Sequence, residues 1–116
     1  MIQEIKAEDY IVSLNEQNNT VQFSGELALS NPSQYDPINA LLNEVAHQDL
    51  EVLTLDLRNL DFVNSSGISM LSKFVLGMRK KKGTQVVVLG SDDIPWQSKS
   101  LRNLEKLLPG LKLELN

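Results

Sequence analysis

The sequence predicts an α/β fold on a mixed sheet, with an antiparallel hairpin first and parallel strands after it, and helices packed on it. Three observations carry this. Residues 10–15, "YIVSLN", and 20–27, "TVQFSGEL", read as strands on either side of a polar break, and the second alternates well. Two later runs, "LEVLTLDL" at 50–57 and "QVVVLG" at 85–90, are short and almost continuously apolar, as strands inside a parallel sheet are. Stretches with apolar residues at helical spacing separate and follow these runs. Strands that alternate with helices belong to α/β architectures.

Each element has its own signal. Asn18-Asn19 makes the hairpin turn. After the loop "ALSNPSQ", Asp36-Pro37 opens a helix, with Asp36 as N-cap and proline in the first turn. That helix runs to about His47 on Ile38, Leu41, Leu42 and Val45. In 50–57, Leu53, Leu55 and Leu57 share one face, with Val52 and Thr54 on the other, so cover on both faces is expected. A helix follows from about Ser66 to Lys82, ended by Gly83. After the strand at 85–90, "DDIPW" opens another helix with Leu101, Leu104, Leu107 and Leu108 as its stripe, stopped by Pro109-Gly110. "LKLEL", 111–115, is a last strand.

Composition narrows the function. A chain of 116 residues is expected to form one domain over 1–116. The absence of cysteine removes disulfides, thiolate catalysis and Cys-zinc sites, and His47 is the only histidine. No metal site and no cofactor is expected. A net charge of −4 argues against a nucleic-acid partner. Without a long apolar run or a signal-peptide pattern, a cytoplasmic location is expected.

The stretch "FVNSSGISML", 62–71, carries the most specific chemistry. Asn64 or Ser65 can cap the following helix, since a short polar side chain accepts from an otherwise orphan N–H. Gly67 permits close backbone approach. A helix N-terminus also tolerates an anion, so a phosphate on Ser65 or Ser66 is compatible with the fold. A catalytic serine would need a general base within reach, and this is not G-x-S-x-G, so no catalytic residue is assigned and the chain is not expected to be an enzyme. The helix itself is apolar over an arc of roughly 180°, wider than a surface helix needs. It is either wedged between sheet and neighbouring helix, or it leaves Met70 and Phe74 at the arc's edge for a partner. Arg79-Lys80-Lys81-Lys82 suits a solvated helix C-terminus. Asp56 reads as a strand-end residue bonded to nearby N–H groups, and Trp96 as packing at a helix start. A nucleotide-binding or hydrolytic protein using Asp56, Asp61 and the motif loop is the reading from another class, but no P-loop is present.

The run "LTLDLRNLDFVNSSGISML" resembles the STAS domains, the anti-sigma-factor antagonists and their relatives. "VQFSGEL" resembles that family's second strand, and "QVVVLG" with its following helix falls in the family's order. The resemblance spans about Tyr10 to Leu115 and implies a single STAS-like domain in bacterial signal transduction and transcription regulation. It implies that Ser65, with Ser66 as alternative, is phosphorylated by a kinase that is also an anti-sigma factor and reset by a phosphatase. Asn64, Ser65, Ser66 and Gly67 form the motif loop, and Met70 and Phe74 lie on or beside the partner-facing helix. Three departures stand out: Asn64 replaces the family's Asp, Ala28 follows Gly25-Glu26-Leu27 where Asp is common, and the chain stops at Asn116 where many relatives add a helix. The last implies that a second copy or a partner covers part of the sheet. The alternative function is a non-phosphorylated STAS adaptor subunit of a lipid-transport ATPase, in which Ser65 is only a helix cap.

Overall fold

The computed structural model describes residues 3–116. The chain runs β1 (Glu4–Lys6), β2 (Tyr10–Asn15), β3 (Thr20–Leu27), α1 (Asp36–Ala46), β4 (Val52–Val63), α2 (Ser65–Gly77), β5 (Gln85–Gly90), α3 (Gln97–Leu107) and β6 (Lys112–Leu115). All six strands form one sheet in chain order. β1, β2 and β3 pair antiparallel, and β3 to β6 pair parallel. The mixed sheet is therefore as expected, with β1 as an additional edge strand too short to show a period.

Two backbone positions set the hairpin region. Asn19 takes φ 52 in the turn, a left-handed conformation that Asn tolerates. Gly25 has φ +92, and a Cβ there would lie 2.2 Å from the Asp9 carbonyl oxygen. That carbonyl accepts from the Glu26 N–H at 2.9 Å, tying the β1–β2 connection to β3. Only glycine fits such a site.

β4 is longer than the apolar run at 50–57 suggests. Its pairing with β3 shifts register between Gln22 and Ser24, and again between Gly25 and Glu26. Each shift inserts one residue into β4 and flips which parity faces inward. Leu53, Leu55 and Leu57 face the core, then Leu60, then Val63, all buried. The bulges break the period of two, so the second half of the strand does not read as one. Asp56 accordingly sits within the strand, not at its end.

The expected cover on both faces of the sheet is corrected. Each parallel crossover steps to the next strand in the same direction, and right-handed connections of that kind place every helix on one face. Leu55 is fully buried on that face, while Val52 on the other is 44% exposed, and Val87 and Leu89 are half-buried. The core lies between the sheet and α1, α2 and α3, with Phe23, Leu55, Leu71, Val88 and Leu101 near its centre.

Two helix boundaries also differ. Asp36 is not an N-cap: it already has helical φ −54 and ψ −42, because a 3-10 turn over Pro32–Tyr35 precedes it. Gln34 Oε1 accepts from the Ser30 and Asn31 N–H groups instead, at 2.7 and 3.0 Å. α2 ends at Gly77 and tightens into a 3-10 turn over Met78–Lys80, so neither Lys82 nor Gly83 closes it. Such tightening satisfies carbonyls that a helix end would orphan.

Past β5, the outer edge of β4 is sealed by side chains. Gln97 is fully buried. Its Nε2 donates to the Leu57 and Leu60 carbonyls at 2.6 and 3.0 Å, and its Oε1 accepts from the Ser91 N–H at 2.7 Å. Trp96 Nε1 donates to the Leu60 carbonyl at 3.0 Å, so it both starts the helix and caps the strand edge.

Candidate functional site

The motif loop sits where β4 ends and α2 begins, at the carboxyl ends of the parallel strands. The polypeptide turns there because Asn64 leaves the strand with extended φ −87 and ψ 178 while accepting from the third helical N–H. Its Oδ1 receives the Gly67 N–H at 2.9 Å and the Tyr35 hydroxyl at 2.9 Å. Its Nδ2 donates to the Leu29 carbonyl at 3.1 Å. Its own N–H donates to the Leu27 carbonyl at 3.1 Å. The Tyr35 hydroxyl in turn accepts from the Leu29 N–H at 3.2 Å. Burial pushes the Tyr35 hydroxyl up from its ordinary pKa, partly offset by that N–H, so it stays a donor to Asn64.

This network answers which residue caps the helix. Asn64 does, and it uses both halves of its amide: the oxygen for the helix, the nitrogen for the loop after β3. A carboxylate could supply the first but not the second. Gly67 is required by packing, since a Cβ would lie 2.3 Å from Val63 Cγ2 and 3.3 Å from Tyr35 Oη.

The serines are left with no capping duty. Ser65 is exposed in the first helical turn and Ser66 is half-buried. Their N–H groups belong to the helix's unbonded first turn, at its positive dipole end. Ser65, Ser69 and Leu76 share the exposed side of α2.

Met70 and Phe74 do not lie on that side. They are buried at 5% and 8% exposure and belong to the core, so their expected place on the accessible, partner-facing surface is corrected. The reason is that α2 packs on the sheet with α1 and α3 on either side, which buries an arc wide enough to take both. The exposed apolar residue near the loop is instead Phe62, 48% exposed, while Leu76, 39% exposed, lies in the last turn of α2. Phe62 escapes the sequence pattern because the second β4 bulge turns it outward.

Asp56 is not near the motif loop. Its carboxylate accepts from the Arg58 N–H at 3.1 Å, Nε at 3.0 Å and Nη2 at 2.8 Å across the first bulge. The guanidinium holds its carboxyl below the usual range, against the opposing effect of burial. His47 is exposed at the end of α1, with Nδ1 2.6 Å from the Asn43 carbonyl. Among the described residues, no group of three or more His, Asp or Glu side chains could hold a metal, and no helix is long and apolar enough to cross a membrane.

A family model for the STAS domain matches residues 12–107. Among solved structures, a chain of the complex of the diguanylate cyclase SiaD with its activator SiaC, from Pseudomonas aeruginosa, matches with TM-score 0.77 and 9% identity, over 98% of both chains. SiaC of Pseudomonas aeruginosa matches with TM-score 0.75 and 9% identity, over 99% of this chain and 98% of that one. An anti-sigma factor antagonist from Mycobacterium paratuberculosis matches with TM-score 0.66 and 19% identity, over 95% and 90%. At these identities the likeness is one of fold. No curated protein sequence matches significantly.

Proposed function

This chain belongs to the STAS domain family, and we propose that it works as a non-enzymatic partner-switching module controlled by phosphorylation of Ser65. The observation that supports this reading is the division of labour in the motif loop. Asn64 carries the cap, and Ser65 stands exposed at the helix N-terminus with no structural task. Ser66, the alternative acceptor, is half-buried. Two fold relatives are described by what they bind or regulate: SiaC as activator of a diguanylate cyclase, the other as an anti-sigma factor antagonist. The partner for this chain is then a kinase of the anti-sigma type, opposed by a phosphatase.

The physics of such a switch is direct. A phosphoserine adds about 1.5 to 2 negative charges. At a helix N-terminus it stabilises the fold by roughly 0.3–1 kcal/mol. Buried unpaired in an interface, the same charge costs several kcal/mol, and about 4 kcal/mol is roughly a thousandfold in affinity. The modification would release a partner without unfolding the domain.

A constitutive adaptor, such as a subunit of a lipid-transport ATPase, is the second reading. The neutral Asn64 favours it, because the loop then lacks the carboxylate that the family places beside its acceptor serine. Intact mass and peptide mapping of the protein from its native cells separate the two. One phosphoryl group on Ser65 supports the switch. Unmodified protein under growth and stress conditions, together with co-purification of a transporter ATPase, supports the adaptor.

A further inference from the structure

The charges of this chain are unevenly shared. Residues 1–61 hold 11 Asp and Glu against two Lys and Arg, whereas residues 62–116 hold nine Lys and Arg against four Asp and Glu. A split of this kind points to an anionic partner for the basic part. The sheet keeps chain order, so the split is also one of space. β1 stands four strand spacings, about 19 Å, from β5. That is more than two Debye lengths of about 8 Å at physiological salt, so the acids of β1 and the turn after it barely weaken the field at the basic side.

The basic side has a defined face. α2 and α3 both connect parallel strands, so they run parallel to each other. Arg79 Nε donates to the Leu107 carbonyl at 2.6 Å where their C-terminal turns meet. α2 buries Met70, Leu71, Phe74 and Val75, and α3 buries Leu101 and Leu104. At about 100° per residue, Lys73 and Leu76 fall on the opposite side of α2, and Lys99, Arg102 and Lys106 on the opposite side of α3. All five are exposed, as is Lys80 in the turn after α2. Among the described residues, none of these cations makes an ion pair. The helix dipole explains only part of this. It favours cations in a last turn, which covers Lys80 and Lys106. Lys73 and Arg102 are mid-helix, and Lys99 stands in the first turn of α3, where the dipole opposes a cation and no acid offsets it.

We propose that this outward face of α2 and α3 docks on the surface of a bilayer rich in anionic lipid. Each Lys or Arg near such a surface contributes roughly fivefold in binding. Leu76, exposed between Lys73 and Lys80, supplies an apolar contact at the headgroup boundary, and the lysine stems lie along it. A nucleic acid would leave Leu76 unused and would find no aromatic side chain on this face to stack a base. A protein partner fits less well, because four of the five cations are lysines, which protein interfaces disfavour. The surface is independent of the reading of Ser65.

The test is flotation of the full chain with phosphatidylcholine vesicles holding about one third phosphatidylserine, against phosphatidylcholine alone. Binding is expected at low salt, at least tenfold weaker without phosphatidylserine, and lost at about 1 M salt, where the Debye length is about 3 Å. The double variant Lys99→Gln, Arg102→Gln is expected to weaken it at least tenfold, and Leu76→Ser at least twofold. The double variant Lys6→Gln, Lys112→Gln removes the same charge from the open face of the sheet and is expected to change it less than twofold. Ser65→Ala is expected to leave it unchanged. All the substituted residues are exposed, so the variants fold. Absence of binding to the anionic vesicles at low salt overturns the proposal. So does an equal loss in the two double variants, and so does tighter binding to duplex DNA or polyglutamate than to the anionic vesicles at the same salt.

Discussion

Asn64 joins two chain segments that the sequence keeps 35 residues apart, through its contact with Leu29. Asn64→Asp keeps the cap oxygen but sets a carboxylate against the Leu29 carbonyl, so it is expected to destabilise the protein by about 1–3 kcal/mol at neutral pH in urea unfolding. Ser65→Ala, at an exposed position without a cap role, is expected to stay within about 0.5 kcal/mol. An equal loss in both variants would show that the serine shares the cap. Gly67→Ala must move Val63, 2.3 Å from the new methyl, and overpacking of this kind costs about 1–3 kcal/mol. A lowered Tm in thermal unfolding checks it. Asp56 gives a pH signature. Its folded carboxyl lies below the ordinary value because of Arg58. Its stabilising contribution is therefore present above the unfolded pKa of about 3.9 and is lost as pH falls through the folded value. Asp56→Asn is expected to remove that part of the acid-side loss in a stability-versus-pH series.

At the scale of elements, the β4 edge depends on α3. The strand outruns its neighbour β5, which pairs with it only from Val52 to Asp56. The Leu57 and Leu60 carbonyls beyond would be buried without partners but for Gln97 and Trp96. Gln97→Leu removes a donor to two carbonyls and the acceptor of Ser91 N–H, so a loss of about 2–4 kcal/mol is expected from several buried groups left unsatisfied. Hydrogen exchange is expected to show the loss first in α3. Gly90 belongs to the same clamp, because a Cβ there would lie 2.5 Å from Leu101 and 3.0 Å from Gln97 Oε1. Neither role is visible in a helical periodicity, where Gln97 reads as a polar surface residue. A long-range contact to an unpaired strand edge leaves no local pattern.

At the scale of the molecule, the sheet has one buried and one open face. Val52→Thr on the open face is expected to change stability by less than about 0.5 kcal/mol. Leu55→Ala, one strand position class away on the buried face, is expected to cost about 2–5 kcal/mol. Comparable losses at both sites, measured by chemical denaturation of the isolated chain, would mean that the open face is covered in solution. The Ser65 loop lies at the carboxyl ends of the parallel strands, and the basic run at 79–82 lies towards their amino ends, at the other end of α2.

The sequence by itself determined the element order from β2 onward, the mixed sheet and the motif loop, because hairpin alternation, apolar strand runs and turn residues are local signals, whereas β1 is too short to give one. It also placed Ser65 at a helix start. Tertiary structure alone decided the rest. Near-continuous apolarity in 50–57 and 85–90 suggested cover on two faces, but the direction of successive crossovers leaves one face open. Met70 and Phe74 looked like the edge of a surface, but neighbouring helices bury them, and a bulge sends Phe62 outward in their place. Asn64 read as a departure from a family's Asp, and its amide is what holds the Leu29 carbonyl. Each of these depends on which distant segments come together, and periodicity along one segment carries no information about that.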